Sequence, residues 1–140
     1  MDQIALENID FLAERSIEDL HYSSRQWLFN IEFWRQELAF FQTLLDQNAD
    51  KANSVDQKKQ IDHFQHLITY YQGELLDEYH QKARRHEKSM RAMLDGKPSN
   101  VDNAFREKHN ILFDQIVSFD NQFKQHKLDF YEFIATLLKS

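Results

Sequence analysis

The sequence predicts an all-α protein on the basis of three observations. Its 140 residues include only two glycines and one proline, whereas a β-sandwich or barrel needs a turn signal roughly every 8–12 residues. The 41% of hydrophobic residues, with 14% aromatic overall, supply enough apolar area for a folded core. Apolar residues also recur at alternating steps of three and four, which is the spacing of supercoiled helices. We expect a single domain over residues 1–140: an antiparallel up-down-up bundle of three long helices with a short N-terminal helix, or an irregular four-helix bundle.

Capping and breaking residues set the limits of these helices. Ser16 and Ser54 each carry the sequence pattern of an N-cap, in Ser16-Ile17-Glu18-Asp19 and Ser54-Val55-Asp56-Gln57. Gly96 can close a helix and Pro98 cannot continue one. Together these signals predict helices over about residues 2–13, 16–48, 54–95 and 99–138. The connections are short, so consecutive long helices should be antiparallel.

Each long helix has one predicted buried face. In helix 16–48 the face comprises Ile17, Leu20, Ser24, Trp27, Ile31, Trp34, Leu38, Phe41 and Leu45. In helix 99–138 it comprises Phe105, His109, Leu112, Ile116, Phe119, Phe123, His126, Phe130, Phe133 and Leu137. Helix 54–95 presents Ile61, Phe64, Ile68, Tyr71 and Leu75, then steps by four to Tyr79 and Ala83 before His86, Met90 and Met93. This irregularity is a stutter, which locally unwinds a supercoil.

Helix 16–48 carries a second apolar line on its opposite side. At roughly 100° per residue it lies about 160° from the buried face. Its residues, called the aromatic stripe below, are Tyr22, Phe29, Phe33, Phe40 and Leu44. The N-terminal segment is too short to cover all of it. Since exposed apolar patches mark interaction surfaces, the stripe predicts an interface with a second copy of the chain.

Seven histidines without a cysteine raise a metal site as an alternative. Di-iron bundles use Glu-x-x-His pairs on their helices. Glu18 and His21 have that spacing, Asp77 and His80 resemble it, and a symmetric hairpin would place both histidines at one level. Both pairs, however, point away from the predicted buried faces. The candidate metal ligands are Glu18, His21, His80, His86 and His109.

His86 and His109 occupy buried-face positions on either side of the Gly96 turn. They are therefore expected to lie at the same end of the bundle. We interpret them as a polar layer that fixes helix register, with a shared ligand site or a pH switch as the functional alternative. His126, among phenylalanines, is interpreted as a core histidine with a hydrogen-bond partner.

The sequence also excludes several classes of function. Its basic cluster comprises Lys82, Arg84, Arg85, Lys88 and Arg91, which we interpret as cations at a helix C-terminus. With a net charge of −6, nucleic-acid binding is not expected. No window approaches the roughly 18 apolar residues of a membrane span. Neither a glycine-rich phosphate loop nor a nucleophile elbow is present.

These observations favour a non-enzymatic interaction or scaffold module that has no cofactor. We expect it to bind itself, as a homodimer or larger oligomer, or another helical protein. A histidine–carboxylate metal-binding bundle and a bundle that holds a hydrophobic ligand are the alternatives. The absence of cysteines and of a secretory signal favours the cytoplasm.

Overall fold

The computed structural model describes residues 17–95 and 103–139, and every regular element in these ranges is helical. The elements are α1 (Ile17–Asn48), a 3₁₀ turn (Ala49–Lys51), α2 (Val55–Tyr70), a π-helical turn (Tyr71–Leu75), α3 (Leu76–Asp95) and α4 (Asn103–Leu138). The all-α prediction is thus confirmed for the described part of the chain. The predicted helix over residues 2–13 and the turn at Gly96 lie outside it.

The predicted cap at Ser54 is present. The Ser54 hydroxyl accepts a hydrogen bond from the Gln57 amide at 3.1 Å, and the Gln57 side chain accepts one from the Asn53 amide at 2.8 Å. This reciprocal pair satisfies two backbone donors where α2 begins. A helix start is therefore fixed here by two polar side chains.

The predicted helix over 54–95 contains a π-helical turn at Tyr71–Leu75, which separates α2 from α3. Leu75, predicted in the buried face, is only half-buried, whereas Leu76 is completely buried. The prediction for Leu75 is wrong because one π turn advances the buried face by five residues, from Tyr71 to Leu76, where an α-helix advances it by three or four. The stutter in the sequence marks this turn.

The described residues form two compact units. The first combines residues 17–31, 79–95 and 103–120. Its core contains Trp27, whose ring centre lies 4.6 Å from that of His109 and 6.3 Å from that of Phe113. Tyr79 meets the edge of Phe119 at 6.0 Å. Aromatic rings from α1, α3 and α4 thus build this core.

The second unit combines residues 32–78 and 121–139. Phe130 packs against Phe41 at 4.7 Å and against Phe64 at 5.3 Å between ring centres. Tyr71 and Phe123 are 5.8 Å apart. These pairs join α1, α2 and the π-helical turn to α4.

The predicted buried faces of α1 and α4 are largely confirmed. Every predicted position from Leu20 to Leu45 in α1 is buried, as is every one in α4 except His126. His126 is half-buried, and its Nδ1 lies 2.6 Å from the Tyr71 hydroxyl oxygen. The partner expected for this histidine is therefore present.

Within the described ranges, no helix combines the length and the hydropathy that crossing a bilayer requires.

Candidate functional site

The aromatic stripe on α1 is open to solvent. Tyr22 is 62% exposed, Phe29 68%, Phe33 55% and Phe40 56%. Leu44, the last member, is half-buried. Four aromatic rings on one helix are thus left uncovered by the described chain, although single exposed apolar residues are common on protein surfaces.

The spacing of the stripe aligns its members along the helix axis. Tyr22, Phe33 and Leu44 are separated by 11 residues each, and so are Phe29 and Phe40. Eleven residues are close to three full helical turns, so each set forms a nearly straight row. From Tyr22 to Phe40 the stripe extends roughly 27 Å at 1.5 Å per residue. The surface is therefore a straight ridge on one helix.

His86 and His109 meet in the interior of the first unit, as their sequence positions predict. His86 Nε2 and His109 Nδ1 are 2.8 Å apart, and the two residues are 8% and 0% exposed. The Phe105 ring stacks on His86 at 4.4 Å with an interplanar angle of 6°. Aromatic rings thus surround a hydrogen-bonded polar pair.

His86 is neutral at physiological pH. Burial, with a smaller contribution from the Lys108 cation, lowers the pKa of His86 from 6.5 to about 4. Between two neutral imidazoles, one ring nitrogen donates the proton and the other accepts it. A further proton on His86 would place a charge in an apolar interior, near the Lys108 cation.

The structure separates the remaining metal candidates. His21 Nε2 lies 3.4 Å from Glu87 Oε1, and Glu87 is also 3.9 Å from Arg91. His80 precedes Glu87 by seven residues, which is about two turns of α3. The expectation that His21 and His80 share a level is therefore wrong, because it assumed a hairpin that is symmetric about its turn. Gln42 of α1 already bonds to Gln65 of α2 at 2.8 Å, which departs from that symmetric pairing before the π-helical turn is reached.

No group of three or more His, Asp or Glu residues in the described part of the chain could hold a metal ion. The side chain of Glu18 lies outside the described set. Among the described candidate ligands, the ring nitrogens of His86 and His109 contact each other.

The basic cluster does not end α3. The helix continues to Asp95, and its last turn contains no basic residue. Because helix-dipole stabilisation is confined to the last turn, the interpretation of Lys82, Arg85 and their neighbours as C-terminal cations is wrong. Sequence reasoning missed that Lys82 and Arg85 share a cavity with Lys108 of α4. The available signal was the helical spacing of residues 82 and 85, which lie one turn apart.

Comparisons with protein-family models, curated proteins and solved structures found no match. The functional proposals below therefore rest on the geometry of this chain.

Proposed function

We propose that this chain is a non-enzymatic interaction module that associates with a second copy of itself through the aromatic stripe. The observation that carries the proposal is the alignment of four exposed aromatic side chains on one face of α1. A soluble chain gains free energy by covering such a ridge. A second copy supplies an equally long apolar surface.

The size of the stripe supports a stable pair. At roughly 150–250 Å² for each aromatic side chain, the exposed parts of these rings amount to roughly 400–600 Å² on each protomer. Two protomers together would bury about 1,000 Å², near the lower limit for a specific interface. Half-buried Leu44 and the aliphatic parts of flanking side chains add to this area.

The spacing of the stripe suits a two-fold antiparallel pair. With the symmetry axis at the level of Ile31, Tyr22 of one protomer meets Phe40 of the other, and Phe29 meets Phe33. Closed two-fold symmetry is the commonest solution for homo-oligomers and prevents open-ended growth. The proposal therefore specifies a register as well as a surface.

An antiparallel order of helices within each unit is part of this proposal. In the second unit, Tyr71 pairs with Phe123 while the earlier residue Phe64 pairs with the later residue Phe133. Such a reversal of sequence order is what antiparallel neighbours produce. In the first unit, Tyr79 and Phe119, followed by His86 and His109, give the same order.

Replacement of Phe29 and Phe33 together by glutamate should produce a helical monomer. The matched control replaces Val55 and Leu128, which are 69% and 58% exposed on other helices, by glutamate. Sedimentation equilibrium at tens of micromolar should give a dimer for the native chain and the control. A native chain that sediments as a monomer would refute the proposal, as would a dimer that survives Phe29→Glu/Phe33→Glu.

The register can be tested by cross-linking because the chain has no cysteine. An oxidised mixture of Tyr22→Cys and Phe40→Cys chains should form the mixed disulfide in preference to either homodimer. In the antiparallel pair, identical positions 22 are separated by roughly 27 Å, far beyond disulfide reach. Preferential linkage of identical cysteines would instead indicate parallel helices.

A further inference from the structure

An open cavity of about 390 Å³ lies against α3 and α4 in the first unit. Its volume falls in the range of small-molecule sites, roughly 300–1,000 Å³. Its described walls combine cationic and apolar side chains with neutral polar ones such as Ser89 and Gln115. The cationic ones are Lys82, Arg85 and Lys108, and the apolar ones are Phe105, Ile111 and Leu112.

The charged side chains that the described residues contribute to this cavity are of one sign. No carboxylate is among these lining residues, although the chain carries a net charge of −6. Among the described residues, neither Arg85 nor Lys108 forms an ion pair with an acidic side chain. Like charges concentrated in a concave surface attract an anion more strongly than isolated surface lysines do.

The apolar part of the cavity is formed by two buried side chains and one exposed side chain. Phe105 is buried and stacked on His86, while Leu112 is buried and Ile111 is 59% exposed. His86, whose lowered pKa keeps it neutral, adds no further charge beside them. A bound hydrocarbon would therefore cover Ile111 and contact Phe105 and Leu112.

We propose that this cavity binds a free organic monocarboxylate with a medium-length hydrocarbon chain. Arg85 and Lys108 would hold the carboxylate, Arg85 through two parallel N–H···O bonds and Lys108 through its ammonium group. The hydrocarbon would lie against Phe105, Ile111 and Leu112. Both features are needed, since neither the charge nor the apolar surface alone specifies the ligand.

Octanoate is the probe for this proposal, with acetate and 1-octanol as partial ligands. Acetate has the carboxylate without the chain, and octanol has the chain without the charge. Isothermal titration calorimetry should give a dissociation constant for octanoate at least tenfold lower than for either of them. Equal affinity for octanol would refute the role of the cations, and equal affinity for acetate would refute the role of the apolar wall.

Substitution of lining residues tests whether octanoate binds in this cavity. Arg85→Gln/Lys108→Gln should weaken octanoate binding at least tenfold, whereas Lys58→Gln/Lys59→Gln, which removes two exposed charges from α2, should leave it within twofold. Ile111→Ser should weaken octanoate binding about fivefold and leave acetate unaffected. Its control is Leu128→Ser, at a residue with a similar exposure of 58%. Octanoate affinity unchanged in Arg85→Gln/Lys108→Gln would overturn the proposal.

The two proposals can fail separately. Phe29→Glu/Phe33→Glu should retain native octanoate affinity, because neither residue lines the cavity. Each variant is compared with the native chain by circular dichroism, and Arg85→Gln alone replaces the double variant if that loses helix. Binding to phosphatidylglycerol vesicles without binding of free octanoate would indicate a lipid surface as the ligand and contradict the proposal.

Discussion

His86 Nε2 and His109 Nδ1 lie 2.8 Å apart in the interior of the first unit. One proton occupies the space between the two nitrogens, since two protons there would repel each other. Phe105 covers one face of His86, and Trp27 lies 4.6 Å from His109 between ring centres. The hydrogen bond thus satisfies one buried ring nitrogen of each histidine, and the apolar surroundings disfavour a positive charge on His86.

The stability of the protein should decrease in mild acid because of this pair. Burial lowers the pKa of His86 from 6.5 to about 4, so the unfolded chain binds this proton more tightly than the folded chain does. The contribution of neutral His86 to the free energy of unfolding is fully present above pH 6.5, and it is lost progressively as the pH falls towards 4. Between pH 7.5 and pH 5 the loss amounts to about 2 kcal/mol.

Urea denaturation at the two pH values measures this loss. Over the same pH interval, the free energy of unfolding of His86→Leu/His109→Leu should fall by about 2 kcal/mol less than that of the native chain. His66→Leu, at an exposed histidine on α2, should lose as much as the native chain. An unchanged acid sensitivity in the double variant would show that other groups cause it.

The π-helical turn predicts stability losses of different size for alanine substitutions at two adjacent leucines. Leu76 is 0% exposed and Leu75 is half-buried, so Leu76→Ala should reduce the free energy of unfolding by about 2–5 kcal/mol. Leu75→Ala should cost about 1 kcal/mol, because much of its side chain already contacts water. Urea denaturation of the two variants decides the register, and a larger loss at Leu75 would indicate an uninterrupted α-helix.

Gly73 lies in the π-helical turn with open space around it. A Cβ atom built there meets no atom within 4 Å, and the residue does not need a left-handed conformation. Gly73→Ala should raise the free energy of unfolding by about 0.5–1 kcal/mol, because alanine loses less backbone entropy in a helix. Gln72→Ala at the exposed neighbour is the control, and we expect a change within about 0.5 kcal/mol. Destabilisation by Gly73→Ala would mean that glycine is required there.

Much of the fold could be read from the sequence because helical periodicity is a local property. Trp27, Ile31 and Leu38 recur at steps of three and four, and all three are buried. The serine cap at residue 54 was equally readable, since a hydroxyl and an amide three residues later are neighbours in any helix start. The meeting of His86 and His109 followed from their matching distances to one turn.

The tertiary structure alone decided several of the contacts between helices. Leu76, and not Leu75, lies in the core because the π-helical turn rotates every later side chain about the helix axis. The two leucines are adjacent, so the hydrophobic pattern of the sequence is compatible with either one in the core. His21 lies beside Glu87, and not at the level of His80, because a residue's partner on another helix depends on the register between the helices. Lys108 joined Lys82 and Arg85 at one cavity although it is distant in the sequence. Local spacing fixes the faces of each helix, whereas contacts across helices depend on register and packing.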